Sequence, residues 1–445
     1  MVVSLAVVGA GNRGTTYAGY ALRSPDRARV VAVADPRATH RDALADAHGV
    51  PPEGRLDSWR ALAALPRLAD AVVLATPDRE HAEPAARFAE LGYHVLLEKP
   101  IAPTEAECVA VAEAAERTGV LLAVCHVLRY TRYTDEVRRQ VRAGALGRIV
   151  GVEHLEPVGW WHFAHSYVRG NWRRADTSSS SLLAKCCHDL DWLRYIVDDT
   201  PVRVSSVGGL HHFHPGNRPA GAAERCLDCP VESRCPYSAV RFYHDCLADP
   251  GRHEWPLSVV TRDLTPSGVT TALRDGPYGR CVFGGGNDVA DHQSVTVSFA
   301  GGATATLTMS AFTPGGHRRT RIMGTHGYLE GDGEQVSVTD FVTGATVTTD
   351  TRGGGADAGS GHGGGDMRLM AAFVEAVATG DRSVVRSGPW ESLDSHRMAF
   401  AAERSRLAGG VPVPLAAPAA DPRPPAQPDR ASFVNCSKGE AKRLA

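Results

Sequence analysis

The chain begins with an apolar run that leads directly into a glycine-rich turn. Residues 2–8 are almost entirely apolar, and Gly9, Gly11 and Gly14 follow with the spacing G-x-G-x-x-G. A strand, this turn and a helix, in that order, are typical of a unit that binds a dinucleotide. The first glycine permits the tight turn, the second lets the backbone approach the pyrophosphate, and the third lets helix and strand pack closely. The start of the chain therefore predicts a parallel α/β domain around a dinucleotide.

The residues that follow the turn favour NAD(H) as that dinucleotide. Backbone amides at the start of the helix, around Asn12 and Arg13, attract the phosphate charge. A second apolar run, 30–34, ends in Asp35, at the distance where an acidic residue accepts hydrogen bonds from the ribose hydroxyls. Asp35 would repel a 2′-phosphate, although Arg37 lies close enough to weaken that discrimination.

Length, charge and cysteine usage limit the class of protein. A chain of 445 residues with a net charge of −2 is long enough for two domains and has no basic excess for nucleic acid or an anionic membrane. The first residues form a predicted strand rather than a signal peptide, and no apolar stretch is long enough to span a bilayer. Ten scattered cysteines without a secretory signal favour a reducing cytoplasm. We expect a cytoplasmic protein.

The first part of the chain alternates buried strands with helices. This alternation predicts a doubly wound parallel sheet of the Rossmann type over residues 1–125, with a helix from Thr104 to Thr118. Ligands of such sheets bind at the carboxyl ends of the strands. The side chains at or just after those ends, which we expect to contact the cofactor, are Thr76, Pro77, His81, Glu98, Lys99 and His126.

From about residue 150 the pattern changes to alternating strands. We expect an α+β domain over 126–410 with an open, mostly antiparallel sheet, an insertion at about 211–290 and a glycine-rich loop at 353–365. Residues 411–445 are rich in proline and alanine and predict a disordered tail. The predicted strands are 149–154, 202–207, 294–299 and 304–309, and the helices expected to close the domain are 367–378 and 390–407.

Three features together resemble the glucose–fructose oxidoreductase/inositol dehydrogenase (Gfo/Idh/MocA) family. They are the glycine turn with Asp35, Glu98-Lys99-Pro100 at the end of a strand, and His188 within residues 185–191. The two-domain order matches over about residues 1–410. The resemblance implies a bound nicotinamide cofactor and a polyol, sugar or cyclitol substrate. It also implies that Lys99 and His188 meet at the cleft between the domains.

The chemistry of Lys99 supports this reading independently. A lysine at the carboxyl end of a strand, before a proline, projects into the crevice above the sheet. Its ammonium group can hydrogen-bond a substrate hydroxyl and stabilise negative charge that develops on the oxygen.

The histidine lies on a predicted helix, 181–197. Lys185, His188 and Asp191 are spaced by three and share a face, and an imidazole can take the alcohol proton. Many members of the family carry an aspartate four residues before this histidine, where this chain has Ala184. Lys185 can therefore shape or share the acid–base role.

A polar, aromatic and basic segment, 163–174, precedes that helix and can reach the same cleft. Arginines and a tryptophan suit a hydroxylated or anionic sugar, through bidentate hydrogen bonds and ring stacking. The residues expected to contact substrate or nicotinamide are Arg169, Trp172 and Arg173. His362, in a glycine-rich turn, is a further candidate for substrate, and Asp366 after it is a candidate helix N-cap.

Three cysteines in the insertion predict a metal site. Cys226, Cys229 and Cys235 have the spacing C-x2-C-x5-C in a polar stretch, where they are hard to explain as core. Structural zinc is the simplest interpretation. The candidates for a fourth ligand are Cys246, His244, His211, His212 and His214. Since a cysteine followed by proline also occurs in ferredoxins, an iron–sulfur cluster is the lesser alternative, and free thiols or a disulfide are the others.

Taken together, the sequence predicts an NAD-dependent oxidoreductase that transfers hydride between nicotinamide and a carbinol carbon of a sugar, sugar derivative or cyclitol. The alternative is an NAD-dependent glycoside hydrolase that oxidises its substrate only transiently. A cofactor-binding sensor without turnover is a third class. We expect a homo-oligomer, because relatives commonly use an exposed sheet face as an interface.

Overall fold

The computed structural model describes residues 1–353 and 363–416. Its strands are β1 Val3–Val8, β2 Ala28–Ala34, β3 Arg55–Leu56, β4 Ala71–Leu74, β5 His94–Leu97, β6 Leu122–Val124, β7 Ile149–Pro157, β8 Pro201–Gly209, β9 His292–Phe299, β10 Thr304–Ser310, β11 Arg319–Gly324, β12 Gly327–Gly331, β13 Gln335–Asp340, β14 Thr346–Asp350 and β15 Val413–Pro414. Its helices are α1 Asn12–Arg23, α2 Ala38–Ala47, α3 Trp59–Ala63, α4 Ala82–Glu90, α5 Glu105–Thr118, α6 Arg132–Arg142, α7 Trp160–Phe163, α8 Ser181–Val197, α9 Ala239–Ala248, α10 Ser258–Val260, α11 Pro266–Asp275, α12 Gly365–Thr379 and α13 Pro389–Leu407.

The first sheet confirms the predicted Rossmann architecture. Its six strands run in the order β3-β2-β1-β4-β5-β6, and every neighbouring pair is parallel. The central strand β4 is buried along its whole length, as expected for a sheet covered by helices on both faces. The carboxyl ends of β1, β4 and β5 consequently meet at one edge of the sheet.

The second sheet is mixed and mostly antiparallel, also as predicted. Its nine strands run in the order β14-β13-β12-β11-β7-β10-β9-β8-β15, and only the pairing of β10 with β7 is parallel. Burial alternates along β9 and β10 because one face packs on the core that contains α8, while the other face is exposed.

The two C-terminal helices have close to their predicted bounds, but they were expected to close the second domain and instead also pack on the first sheet. Leu369, Met370 and Phe373 of α12 pack into the core of the first sheet, so this helix returns to the nucleotide-binding side of the molecule. Helix α13 lies between the two parts, since Leu393 joins a core of the first sheet and Met398 joins the core around α8. The domain boundaries expected at residues 125 and 410 stay a prediction.

The first residues of the predicted tail belong to the second sheet. Val413 and Pro414 of β15 pair with β8 at Val204 and Arg203, so the chain extends the second sheet beyond residue 410. Residues 417–445, and the glycine-rich segment 354–362 with His362, lie outside the described residues. Within the part of the chain that the structure describes, no helix combines the length and apolar character needed to cross a membrane.

Candidate active site

The turn between β1 and α1 has room for glycine alone at two positions. Gly9 has a φ of +94°, and a Cβ there would lie 2.4 Å from the carbonyl oxygen of Ala75. A Cβ on Gly14 would lie 1.9 Å from the carbonyl oxygen of Gly9, because α1 packs directly against the turn. Gly11 is the N-cap of α1 and has no side chain to occupy the first amides of the helix. Those amides are the groups that bind a pyrophosphate.

Asp35, at the end of β2, is held against this turn. Its carboxylate accepts hydrogen bonds from the Ala10 amide at 2.8 Å and from Arg37, whose Nε and Nη2 donate at 3.0 and 2.8 Å. Burial raises the pKa of Asp35, but these hydrogen bonds outweigh burial and hold the pKa below its usual value. Asp35 is therefore ionised where the ribose of the cofactor is predicted to bind, and it forms an ion pair with Arg37.

Arg13 and Glu98, both predicted to contact the cofactor, form an ion pair with each other. Glu98 Oε1 accepts hydrogen bonds from Arg13 Nε at 2.6 Å and from the Tyr17 hydroxyl at 2.8 Å. Arg13 Nη2 also lies 2.5 Å from Asp366 Oδ1. The cluster joins α1, the end of β5 and the start of α12. Asp366 was predicted as a helix N-cap, but the N-cap is Gly364, and Asp366 pairs with Arg13 instead.

His81 braces the loops at the strand ends. Its Nδ1 lies 2.6 Å from the carbonyl oxygen of Pro100, and its Nε2 lies 2.7 Å from the carbonyl oxygen of Thr76. Both ring nitrogens are thus used by the backbone, so His81 positions Thr76, Pro77 and the segment around Lys99. Contact of Thr76 and Pro77 with the cofactor stays a prediction.

Lys99 and the first turn of α8 meet directly. The Lys99 ammonium donates a hydrogen bond to the carbonyl oxygen of Ala184 at 2.6 Å. Helix α8 begins at Ser181, because the Ser180 hydroxyl accepts a hydrogen bond from the Leu183 amide at 3.2 Å. An ammonium group has three donors, and within the described residues the Ala184 carbonyl is the one acceptor recorded for them. The contact lies one helical turn before His188.

His188 is buried beside two further histidines. Its ring centroid lies 5.8 Å from that of His126, edge to face, and His126 lies 5.7 Å from His396. Burial lowers the pKa of His126 to about 4, despite the attraction of Asp191. His126 was predicted to contact the cofactor, but its ring is fully buried between the other two histidines. It therefore supports the position of His188.

Asp191, which shares a helix face with His188, is an anchor for that cluster. Its two carboxylate oxygens accept hydrogen bonds from Arg129 Nε and Nη2 at 2.6 and 2.7 Å. The Ser395 hydroxyl of α13 donates to the same carboxylate at 2.7 Å. The sequence placed Asp191 on the functional face, but its charge is already neutralised by a buried arginine.

Lys185 has a carboxylate partner that its own helix does not supply. Its Nζ lies 3.3 Å from Glu156 Oε1 on β7, and Glu156 Oε2 lies 2.8 Å from Arg318 Nη2. Arg318 also pairs with Asp189 of α8. Burial lowers the pKa of Arg318, but Asp189 and Glu156 outweigh burial and raise it. Glu156 and Arg318 are not among the residues predicted from the sequence, and Glu156 lies just beyond the predicted strand 149–154.

The segment before α8 docks on the first domain through Asp78. The Trp172 indole donates to the two carboxylate oxygens of Asp78 at 3.2 and 3.1 Å, and the hydroxyls of Ser178 and Ser179 donate at 3.1 and 2.9 Å. Asp78 follows β4, so this contact crosses the cleft. The Arg173 guanidinium has no hydrogen-bond or ion-pair partner among the described residues, and its contact with substrate stays a prediction.

Arg169 was expected to contact substrate, and the structure corrects this. Its guanidinium is buried and points into the insertion, where Nε donates to the Arg280 carbonyl at 2.8 Å. Its Nη2 donates to the Tyr237 carbonyl at 2.8 Å and lies 3.6 Å from Cys226 Sγ. Arg169 is the last residue of the π-helical turn 164–169, and its side chain enters the insertion from there.

The zinc site predicted at the cysteines is not supported. No group of three or more His, Cys, Asp or Glu side chains within residues 1–353 and 363–416 is arranged to hold a metal ion. Cys226, Cys229 and Cys235 do line one cavity. None of the expected fourth ligands lines it, and Cys246 packs instead into the small core formed with α11.

A Rossmann domain with an intact glycine turn is followed here by a mixed sheet, and Lys99 of the first part contacts α8 one turn before His188. This architecture defines a class of two-domain nicotinamide-dependent oxidoreductases. The family models agree. The NAD-binding Rossmann fold of the Gfo/Idh/MocA oxidoreductases matches residues 3–126, and their C-terminal alpha/beta domain matches residues 138–415. The chain belongs to the Gfo/Idh/MocA oxidoreductase family.

The individual relatives that match have low sequence identity to this chain. A 2,7-anhydro-N-acetylneuraminate hydratase of Escherichia coli is 28% identical over 48% of this chain and 55% of the relative. An inositol 2-dehydrogenase of Saccharopolyspora erythraea is 30% identical over 49% and 60%. The chain thus spans about half the length of the curated relatives it matches. The structure of a levoglucosan dehydrogenase with NADH and levoglucosan superposes with a TM-score of 0.69 at 18% identity, over 93% of this chain and 99% of that one.

Proposed function

We propose that the protein is an NAD(H)-dependent dehydrogenase that acts on a carbinol carbon of a sugar, sugar derivative or cyclitol. The observation that carries the proposal is the position of the Lys99 ammonium, 2.6 Å from the carbonyl oxygen of Ala184 and one turn before His188. A hydrogen-bond donor and a proton acceptor are thereby held side by side at the carboxyl edge of the Rossmann sheet.

The residues of the turn fit the cofactor. Gly9 and Gly14 leave a cradle that a Cβ would fill, Gly11 leaves the amides of α1 open, and Asp35 is ionised. NAD, when bound, supplies the acceptor or donor of the hydride at its nicotinamide ring. The supporting residues Glu98 and His81 hold the loops around that position.

Each side chain of the site then has a role. The ammonium group of Lys99 binds the substrate hydroxyl and stabilises the charge that develops on its oxygen. His188 accepts the hydroxyl proton during oxidation and returns it during reduction. Lys185 sets the local field and is itself held by Glu156. Arg173 and Trp172 face the substrate from the docked segment.

A second candidate follows from the hydratase relative. In this alternative the enzyme oxidises a ring hydroxyl, which acidifies the neighbouring C–H bond, and a base removes that proton as the leaving group departs. Water adds to the resulting enone, and the ketone is reduced again, so no NADH accumulates. The Lys185–Glu156 pair would supply a second acid–base group for the elimination.

Substrate turnover with added NAD decides between the two. We would incubate the enzyme with myo-inositol, levoglucosan, simple aryl glycosides and 2,7-anhydro-N-acetylneuraminate, and follow NADH and released or hydrated product together. Product stoichiometric with NADH supports the dehydrogenase. Product without net NADH replaces it by the transient-redox enzyme, and NAD binding without either product would make the protein a sensor. His188→Ala serves as the inactive control.

We also propose that the protein forms a homo-oligomer in the cytoplasm. The exposed face of the second sheet, on which Val207 is solvent-accessible, is a suitable contact between copies of this chain. Static light scattering that gives the mass of one chain would exclude a homo-oligomer. The nine cysteines of the described residues are all free, which supports a reducing cytoplasm as the compartment.

A further inference from the structure

Two cations and two carboxylates form a network between β7, α8 and the residue before β11. Glu156 on β7 binds both cations, with Lys185 Nζ at 3.3 Å from one oxygen and Arg318 Nη2 at 2.8 Å from the other. Asp189 of α8 pairs with Arg318 and lies 3.1 Å from His154 Nε2. Both carboxylates therefore have their partners within the network.

The network is layered, with its carboxylates inside and its cations toward solvent. The side chains of Glu156 and Asp189 are 4% and 0% exposed. Those of Lys185 and Arg318 are 19% and 18% exposed. A molecule that reaches this surface therefore meets an ammonium and a guanidinium group, while the buried carboxylates behind them hold both cations in place.

The exposed cations keep donors that the network does not use. A guanidinium carries five N–H groups, and no partner is recorded for Arg318 Nη1 within the described residues. Lys185 has no ion pair there other than that with Glu156. Lys99, which reaches the same helix at the Ala184 carbonyl, has no carboxylate oxygen within 4.0 Å in the described part of the chain. Three cations thus meet two carboxylates at this part of α8, and one positive charge remains uncompensated.

We propose that Lys185 and Arg318 bind a carboxylate of the substrate, so that the substrate is a sugar acid or a cyclitol acid. This inference rests on the dehydrogenase function proposed above and names its substrate class. A guanidinium group presents parallel N–H donors that match the two oxygens of a carboxylate, and the ammonium group adds a further donor beside it. One uncompensated charge suits a carboxylate better than a phosphate ester, which carries about two negative charges near pH 7.

The place of this pair on α8 relates the acid group to the reacting hydroxyl. Lys185 and His188 are three residues apart, which puts their Cβ atoms about 5–6 Å from each other on one face of the helix. Lys99 reaches the same helix at the carbonyl oxygen of Ala184. A substrate whose carboxylate lies at Lys185 therefore presents a neighbouring hydroxyl to Lys99 and His188. The charge contact thereby selects which hydroxyl of the ring is oxidised.

Equilibrium binding to the NADH-loaded enzyme tests the proposal without turnover. Isothermal titration calorimetry compares D-glucuronate with D-glucose, D-galacturonate with D-galactose, and quinate with myo-inositol. We expect at least one acid to bind about tenfold more tightly than its neutral counterpart, the scale of one charge-assisted hydrogen bond. Equal affinities within every pair, or no binding by any acid at millimolar concentration, would overturn the proposal. Tighter binding of glucose 6-phosphate than of glucuronate would overturn the carboxylate in favour of a phosphate.

Variants test whether the preference for the acid arises at this pair. Lys185→Met should remove most of the preference and change the affinity for the neutral counterpart little, whereas Lys185→Arg should retain the preference. Arg321→Gln on β11 is the matched control, because Arg321 also pairs with two glutamates but lies on the exposed surface. Far-UV circular dichroism reports the folding of each variant. A preference for the acid that survives in Lys185→Met would contradict the assignment.

The binding result and the turnover result can fail separately. If an acid binds as expected but no substrate reduces NAD, the dehydrogenase is wrong and the carboxylate site is supported. If a neutral sugar and its acid are oxidised with equal kcat/KM, the dehydrogenase is supported and the carboxylate site is wrong.

Discussion

The nucleotide turn and the α8 site are built in opposite ways. The turn takes its defining residues from one short stretch, Gly9 to Gly14, and steric limits at two glycines fix its shape. The α8 site combines Lys99 from the segment after β5, Glu156 from β7 and His126 from the segment after β6. Substitutions in the glycine turn should therefore weaken cofactor binding. Substitutions in the α8 site should instead lower kcat or change how kcat depends on pH.

The largest expected effect is on turnover. Lys99→Met and His188→Gln should each lower kcat by on the order of a hundredfold or more, the usual scale for groups that polarise a substrate or transfer its proton. NAD affinity, measured by fluorescence titration, should change little because the glycine turn is untouched.

The double variant sharpens this test. Since Lys99 and His188 act on the same hydroxyl, the double variant should lose far less than the product of the two single losses. Near-normal turnover in His188→Gln would assign the proton acceptor elsewhere, with Lys185 as the next candidate.

The turn should show the reverse pattern. Gly14→Ala places a Cβ 1.9 Å from the Gly9 carbonyl oxygen, so the turn must open, and NAD affinity should fall by on the order of a hundredfold. Gly19→Ala in the same helix meets nothing within 4 Å and is the matched control. It should bind NAD normally, and its melting temperature should be unchanged or slightly raised, since alanine is the better helix former. Equal affinities in the two variants would show that the turn does not hold the cofactor.

The sequence predicted the parts whose cause is local. The glycine turn, the Rossmann sheet and the full length of α8, Ser181–Val197, all follow from short-range patterns: glycine spacing, buried runs and a helix with a serine N-cap. The expectation that Lys99 and His188 act together came from the resemblance to a family rather than from spacing, and it stays a prediction.

The remainder depends on contacts between distant segments. Arg169 looked like a substrate ligand because it lies in a basic, aromatic stretch, but a π-helical turn directs it into the insertion. Glu156 became the partner of Lys185 because β7 lies under α8, which no local pattern indicates. Cys281 lines the same cavity as Cys226, Cys229 and Cys235 because the Arg225–Arg280 bridge joins two segments that are distant in the chain.

The histidine cluster should make the assembled site sensitive to acid. The pKa of His126 is about 4 in the folded protein and about 6.5 when unfolded, so the unfolded state binds more protons between these values. The contribution of His126 to the free energy of unfolding should therefore fall as pH decreases from about 6.5 to about 4, by at most about 1.4 kcal/mol per pH unit, in addition to the contributions of the other buried histidines. Urea unfolding at several pH values measures this slope. His126→Gln should flatten it, whereas the exposed His326→Gln should not.

Cofactor preference gives a smaller and strictly local effect. Asp35→Ser removes the charge that repels a 2′-phosphate and frees Arg37, which Asp35 now holds at 2.8 Å. The ratio of NADP to NAD affinity should rise by about tenfold, the scale of one charged hydrogen bond. Catalytic rate at saturating cofactor should remain close to that of the wild type. A wild type that already binds NADPH as tightly as NADH would contradict the assignment of Asp35.

The smallest expected effect is also the most specific to the assembled site. Lys185→Met removes a positive charge from the face of α8 that carries His188, which makes protonation of the catalytic base easier, so the acid limb of kcat against pH should move to higher pH. Glu156→Gln leaves Lys185 without its carboxylate at 3.3 Å and should move the same limb to lower pH. Each variant should lower kcat at the optimum by less than about tenfold, because neither group is placed on the reacting oxygen. In the double variant the two displacements should largely cancel, since the charges removed are opposite and adjacent. Displacements of the same sign would mean that Lys185 and Glu156 act on the reaction separately, and the site would then be two independent groups rather than one network.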